Sequence, residues 1–206
     1  MPISPGSEWG TPSPIPDHAR VMSADRQLGL FLRDNSAQQI HAQSLFMQSG
    51  DITRVLGVKS RSNNDECIRV IIDAISVSYT DAHGVEHTDV CVGSLSIARR
   101  FLRGAICIVS NSGYWNDHEV APRAHLNDGK LDIFEVSGAM RWSQRRLMWQ
   151  KTSLGTHLPH PLLSYSQGDF SHWEGSPQRL TIDGQFVATV TKVACRIQSD
   201  CVQIYA

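Results

Sequence analysis

Three aspartate-bearing turns carry the residue types that could do chemistry: SADRQ at 23–27, LNDGKLD at 126–132 and TIDGQ at 181–185. A carboxylate in a turn can accept backbone N–H bonds and hold the turn. It can instead face outward as a general base or as an oxygen ligand for a hard cation. Around Asp183 and Gly184 the flanks alternate apolar and polar residues, the strongest short-range signal for a β-hairpin. The local pattern therefore leaves two readings of Asp183 open, turn former and base. His118, His125, His157, His160 and His172 do not pair at i, i+4, and the two nearest flank a proline, which argues against a transition-metal site.

The elements that must position these turns change character along the chain. Residues 1–18 hold five of the nine prolines, so they read as an extended or disordered arm. Over 19–60, VMSADRQLGLFL and SLFMQSGDITRVLG read as strand, loop, helix, strand, loop and short helix, an α/β alternation. KSRSNNDE is a polar connector, and 61–206 is mostly β. CIRVIIDAISVSYT and VEHTDVCVGSLSI flank a DAHG turn, GAICIVSNSGYW and KLDIFEV follow, and three or four strands close the chain. One helix is expected over Ser137 to Leu154, with Met140, Leu147, Met148 and Leu154 on one face and Arg141, Arg145, Arg146 and Lys151 making it basic. The fold class expected is mainly β (α+β): an antiparallel β-sandwich-like domain, one covering helix and an incomplete α/β remnant.

Composition sets further bounds. The 206 residues suffice for one sizeable core, and no apolar run reaches the roughly 18 residues of a membrane span. The start lacks a basic region followed by an apolar one, so no secretion signal is read and a cytoplasmic place, peripheral to a membrane at most, is expected. The five cysteines form no C-x-x-C pair and read as small buried thiols. A net charge of −1 gives no indication of a nucleic-acid partner. Trp142 and Trp149 on the basic helix are open to two readings, a membrane interface or a helix covering a sheet.

Taken in order, the three turns resemble the diacylglycerol kinase family of lipid kinases, which includes bacterial lipid kinases and sphingosine kinases. The best match is VSNSGYWNDHEVAPRAHLNDGKLDIFEV at 109–136, similar to a family segment in which a strand ending in Asn leads to Ala-Pro-x-Ala-x-Leu-x-Asp-Gly-x-Leu-Asp. Val120, Ala121, Pro122, Ala124, Leu126, Asp128, Gly129, Leu131 and Asp132 all fit, while YWNDHE replaces the family's glycines. LGTHLPHPLLSYSQGDFSHWEG resembles the pattern before the last hairpin, and LTIDGQFV stands where the family has Asp-Gly-Glu.

The resemblance implies Asp183 as the general base toward a lipid hydroxyl, with Gln185 in place of a glutamate and unable to exchange a proton near neutral pH. It implies a structural Mg²⁺ held by Asp128 and the backbone carbonyls of His125 and Lys130. It implies an ATP site in which Ser23, Ala24, Asp25, Arg26 and Gln27 replace Gly-Gly-Asp-Gly-Thr, completed by Ser49, Gly50 and Asp51. A phosphate cradle needs glycines where backbone N–H groups approach oxygen closely, and Arg26 is expected to put a long side chain in the phosphate space, where it could itself bind an anion. Only 22 residues precede SADRQ, fewer than the strand–helix units the family places there. Three functions follow as expectations: a lipid-binding or regulatory module with a decayed ATP site, an active lipid kinase completed by a second copy or a partner chain, and a structural or small-ligand-binding protein.

Overall fold

The computed structural model describes residues 9–57, 67–100, 103–153 and 158–206, so the KSRSNNDE connector, Leu154 and His157 lie outside the described residues. In the proline-rich arm Thr11–Ser13 takes the extended alternative as strand β1. The α/β segment follows as β2 (Arg20–Met22), α1 (Asp25–Asp34), α2 (Ala37–His41), β3 (Leu45–Met47) and α3 (Asp51–Val55). The β-rich part comprises β4 (Cys67–Asp81), β5 (Glu86–Cys91), β6 (Ser94–Arg100), β7 (Arg103–Ser110), β8 (Tyr114–Trp115), β9 (His118–Glu119) and β10 (Leu131–Val136). After these come helix α4 (Trp142–Thr152), β11 (Leu163–Gly168), β12 (Phe170–Ile182) and β13 (Gln185–Tyr205).

One mostly antiparallel sheet runs β1-β4-β13-β12-β6-β7-β10-β11, with β5 added to β4, and β8 and β9 form a separate hairpin. Inward residues of β4, β5, β6, β7, β10, β12 and β13 meet in one core that includes Ile75, Val77, Cys91, Leu95, Val109, Leu131, Ile182 and Val193. So many strands can face one core only if the sheet curls on itself, which makes the layered β architecture expected from the sequence. Register shifts at Val190/Lys192 and Gln198/Val202 interrupt the pairing of β13 with β4. At roughly 3.3 Å per residue a straight strand of this length would overshoot the domain, and bulges supply the bend.

The N-terminal segment is welded to that sheet. β3 pairs in parallel with the end of β13, Ile204 opposite Leu45. Leu28, Phe31 and Leu32 of α1 share a core with Val70, Ile72 and Ala74 of β4 and with Val202 and Ile204 of β13. Apolar residues at 28, 31 and 32 put one stripe of α1 against the sheet, as a 3.6-residue period requires. No helix of the described residues is long and apolar enough to cross a membrane.

Helix α4 begins at Trp142 rather than Ser137 and turns a different face inward from the one its apolar residues suggest. Arg145, Met148, Trp149 and Thr152 are buried, whereas Leu147 is 52% exposed and Trp142 60% exposed. The reason is the Arg145 guanidinium, which donates to the carbonyls of Met140, Gly104 and Ser137. Gly104 lies near the start of β7, Ser137 just past the end of β10 and Met140 in the turn before α4, so one buried guanidinium ties the helix to both strands and takes the inward face in place of Leu147. Arg145→Met keeps the stem and removes the donor fork. It should lower the free energy of urea unfolding by about 2–3 kcal/mol, while Leu147→Ala on the exposed side should change it by less than about 0.5 kcal/mol.

Candidate functional site

The first and third of the aspartate turns converge. Asp25 opens α1, and its Oδ2 accepts the Asp51 N–H at 2.6 Å across the start of α3. Gly50, at φ +129, is needed for that approach, since a Cβ there would stand 2.1 Å from Asp25 Oδ1. Ser49 Oγ donates to the Ser23 carbonyl. Gln27 Oε1 accepts from both the backbone N–H (2.8 Å) and the hydroxyl (3.1 Å) of Ser23. Residues 23–27 and 49–51 therefore form one knot, closed by its own hydrogen bonds. Asp51 pairs with Arg54 at 3.2 Å, and Arg54 reaches on to Asp117 and lies over the Tyr114 ring, tying α3 to the β8–β9 hairpin.

Asp183 sits in the turn between β12 and β13 with φ +47, followed by Gly184 at φ +77. Two successive positive φ values are what a two-residue hairpin matching the strand twist needs, and Asp-Gly is a favoured pair for it. The carboxylate points back into the fold. Oδ1 accepts from Gly93 N at 2.9 Å, from Ser94 N at 3.2 Å and from Cys91 Sγ at 3.2 Å, and Oδ2 accepts from Val92 N at 3.2 Å. In return the Asp183 N–H donates to the Ser94 carbonyl at 2.8 Å. Asp183 thus bolts the last hairpin to the β5–β6 connection.

Gly93 shows how close the two carboxyls come. A Cβ on Gly93 would lie 3.2 Å from Asp25 Oδ2 and 3.3 Å from Asp183 Oδ1. Burial, followed by the charge of Asp183, pushes the Asp25 carboxyl up to about 7. Burial also raises Asp183, against the pull of the Gly93 N–H and the Cys91 thiol. Asp25 Oδ1 is buried without a hydrogen-bond partner.

Arg26 turns away from this knot. Its two terminal nitrogens bond both Asp89 carboxylate oxygens, at 3.0 and 2.7 Å, and one also reaches the Val90 carbonyl at 3.3 Å. Both side chains are buried. The guanidinium fork fits a carboxylate bidentately, so Arg26 is committed to pinning α1 on β5. Gln185 is exposed at the start of β13.

The middle turn stands apart from these two. Asp128 Oδ1 accepts Lys130 N at 3.0 Å, and the neighbouring Asn127 donates to the Ile71 carbonyl at 2.8 Å and to Asp200 at 3.2 Å. Asp73, fully buried, accepts from Gly129 N and Asp200 N, each at 2.8 Å. Among the described residues no group of three His, Cys, Asp or Glu side chains could hold a metal ion. A hard cation here would rely on the Asp128 carboxylate and loop carbonyls, and the buried Asn127 Oδ1, which has no partner, is consistent with such oxygen ligation.

Sequence reasoning missed Asp73, Asp89 and Gly93. The signal for the first two was an aspartate inside an apolar strand run, which is costly unless a partner is found. Nothing local names that partner, because Arg26 lies 63 positions from Asp89.

The Asp25 carboxyl carries a pH dependence. The unfolded chain releases this proton near 3.8 and the folded protein near 7. Between these values the folded state binds more protons, so stability falls as pH rises from about 4 to about 7 and then levels off. The slope from this group is at most about 1.4 kcal/mol per pH unit. Asp25→Asn keeps an oxygen for the Asp51 N–H and removes the titration. Urea unfolding across this range should give a flatter profile for the variant, and an unchanged slope would acquit Asp25.

The chain's sequence matches no protein-family model and no curated protein. Its structure is similar to solved ones. A protein from Bacillus anthracis str. Sterne assigned as a diacylglycerol kinase superimposes with a TM-score of 0.54 at 12% identity, over 79% of this chain and 69% of that one. A second structure of a diacylglycerol kinase from the same organism gives 0.50 at 13% identity, over 79% of this chain and 65% of that one. The described architecture is therefore a mainly β fold similar to that of these two solved structures.

Proposed function

We propose that this chain is a non-phosphorylating relative of the lipid kinases, acting as a lipid-binding or regulatory module. One observation carries the reading: both aspartates that the chemistry would need are spent on the fold. A general base must face the hydroxyl it deprotonates with a lone pair in reach. The Asp183 carboxylate instead accepts four hydrogen bonds from residues 91–94, and Asp25 holds the start of α3. Phosphoryl transfer also needs donors aimed at phosphate oxygens. In the SADRQ turn the Ser23 N–H is taken by Gln27, and Arg26 is taken by Asp89.

A second reading has one observation in its favour. Two carboxyls meeting at Gly93 are an arrangement an active kinase could use, were a partner chain to supply the nucleotide cradle and Mg²⁺ the charge neutralisation. Calorimetric titration with ATP and Mg²⁺ separates the two. The proposed module gives no heat up to millimolar ATP, whereas micromolar binding would restore the kinase reading.

Two variants extend the test. Asp183→Asn aims an amide N–H at backbone donors, so it should lower stability by about 2–4 kcal/mol, a loss read by urea unfolding. For a catalytic base the variant would lose turnover while unfolding at the wild-type midpoint. Mg²⁺ at the Asp128 loop should raise the melting temperature of the wild type at millimolar concentration and leave Asp128→Ala unchanged, since an ion that binds only the folded state stabilises it by mass action.

A further inference from the structure

A groove of about 560 Å³ runs along β6 and β12, lined by Ser96, Ala98, Arg99, Ile106, Trp115, Asn116, Arg179 and Thr181. Its floor follows from strand alternation. Leu180 and Ile182 of β12 and Leu95 and Ile97 of β6 point into the core, so Arg179, Thr181, Ser96 and Ala98 take the opposite face. Arg179 lies opposite Ala98, and Thr181 opposite Ser96. Simple alternation would turn Arg99 away from Ala98. The β6–β7 register shifts between Ala98 and Arg100, and a bulge of this kind re-aims a side chain, which accounts for Arg99 reaching the same groove.

The groove is chemically polarised. Among the described residues no acidic one lines it, and both arginines are held in place: Arg99 donates to Ser176 Oγ at 2.8 Å, and the Arg179 guanidinium lies 4.0 Å from the centroid of the Phe186 ring. A guanidinium stacked on an aromatic face keeps its in-plane N–H edge free for an anion. Ile106, Trp115 and Ala98 supply an apolar wall, and the Ser96 and Thr181 hydroxyls lie between. An anionic group would therefore settle between Arg99 and Arg179, with an apolar body along the wall.

We infer that this groove is a binding site for an amphiphile that bears a phosphate or carboxylate, with Arg99 and Arg179 holding the anion. The inference deepens the lipid-binding reading and rests on it only for the apolar part of the ligand. Its test uses no nucleotide, so the ATP titration can fail or succeed without deciding it.

The experiment is calorimetric titration of the full chain with decyl phosphate below its micelle concentration, alongside inorganic phosphate and decyltrimethylammonium. Decyl phosphate should bind, and Arg179→Gln combined with Arg99→Gln should weaken it by about tenfold or more, because charge-assisted bidentate contacts are lost. Lys192→Gln, on the β13 side of the Glu174 pair, should bind as the wild type does. Thermal unfolding of the double variant at the wild-type midpoint shows that the fold is kept. Three outcomes overturn the inference: equal affinity in the double variant, equal affinity for the cationic amphiphile, or inorganic phosphate competing as strongly as decyl phosphate, which would leave an anion site without a tail.

Discussion

A carboxylate withdrawn from water must be given donors, and the fold is arranged so that Asp183 receives four. The exchange fixes more than a turn. Through the Asp183 carboxylate and its own N–H, the β12–β13 hairpin is clamped to the β5–β6 connection, and β13 is the strand on which both β4 and β3 pair. At this junction Gly29 leaves no room for a Cβ, which would stand 2.7 Å from the Val90 carbonyl, and a Cβ on Gly93 would press to 3.3 Å from the Asp183 carboxylate. The helix, the connection and the hairpin therefore pack as one unit around a single side chain.

The Arg26–Asp89 pair is the second constraint. Burying one ion pair costs desolvation that only good geometry and added hydrogen bonds offset. Here the fork is bidentate, with a further bond to the Val90 carbonyl. Breaking it would leave a buried charge on α1 or β5. The pair explains how an α/β segment this short stays docked, and why the Arg26 side chain turns toward the sheet.

The same trade is visible at α4. Its apolar residues place Leu147 on the inner face, and the structure puts Arg145 there. From that face the buried guanidinium reaches the Met140, Ser137 and Gly104 carbonyls and ties the helix to the ends of β7 and β10, while Leu147 is left in water. Hydrophobic periodicity misjudged the face because it scores apolar area and not backbone acceptors.

How much was legible follows from range. The strands of 67–206, the Asp-Gly hairpin at 183 and the strand–helix alternation of 19–57 rest on period and turn chemistry, which act over a few residues, and the structure has them. The resemblance grouped SADRQ with QSGD, and Asp25 does bridge to Asp51. The role of Asp183 was not legible, since its donors lie some ninety positions earlier and include three backbone amides that carry no side-chain signature. The partners of Arg26 and the face of α4 were hidden for the same reason. The sequence by itself determined which segments are strand, helix and turn, because local sterics and apolar spacing decide that. Only the tertiary structure decided where each charge points, because a buried charge is placed by whichever distant donor the folded sheet brings within reach.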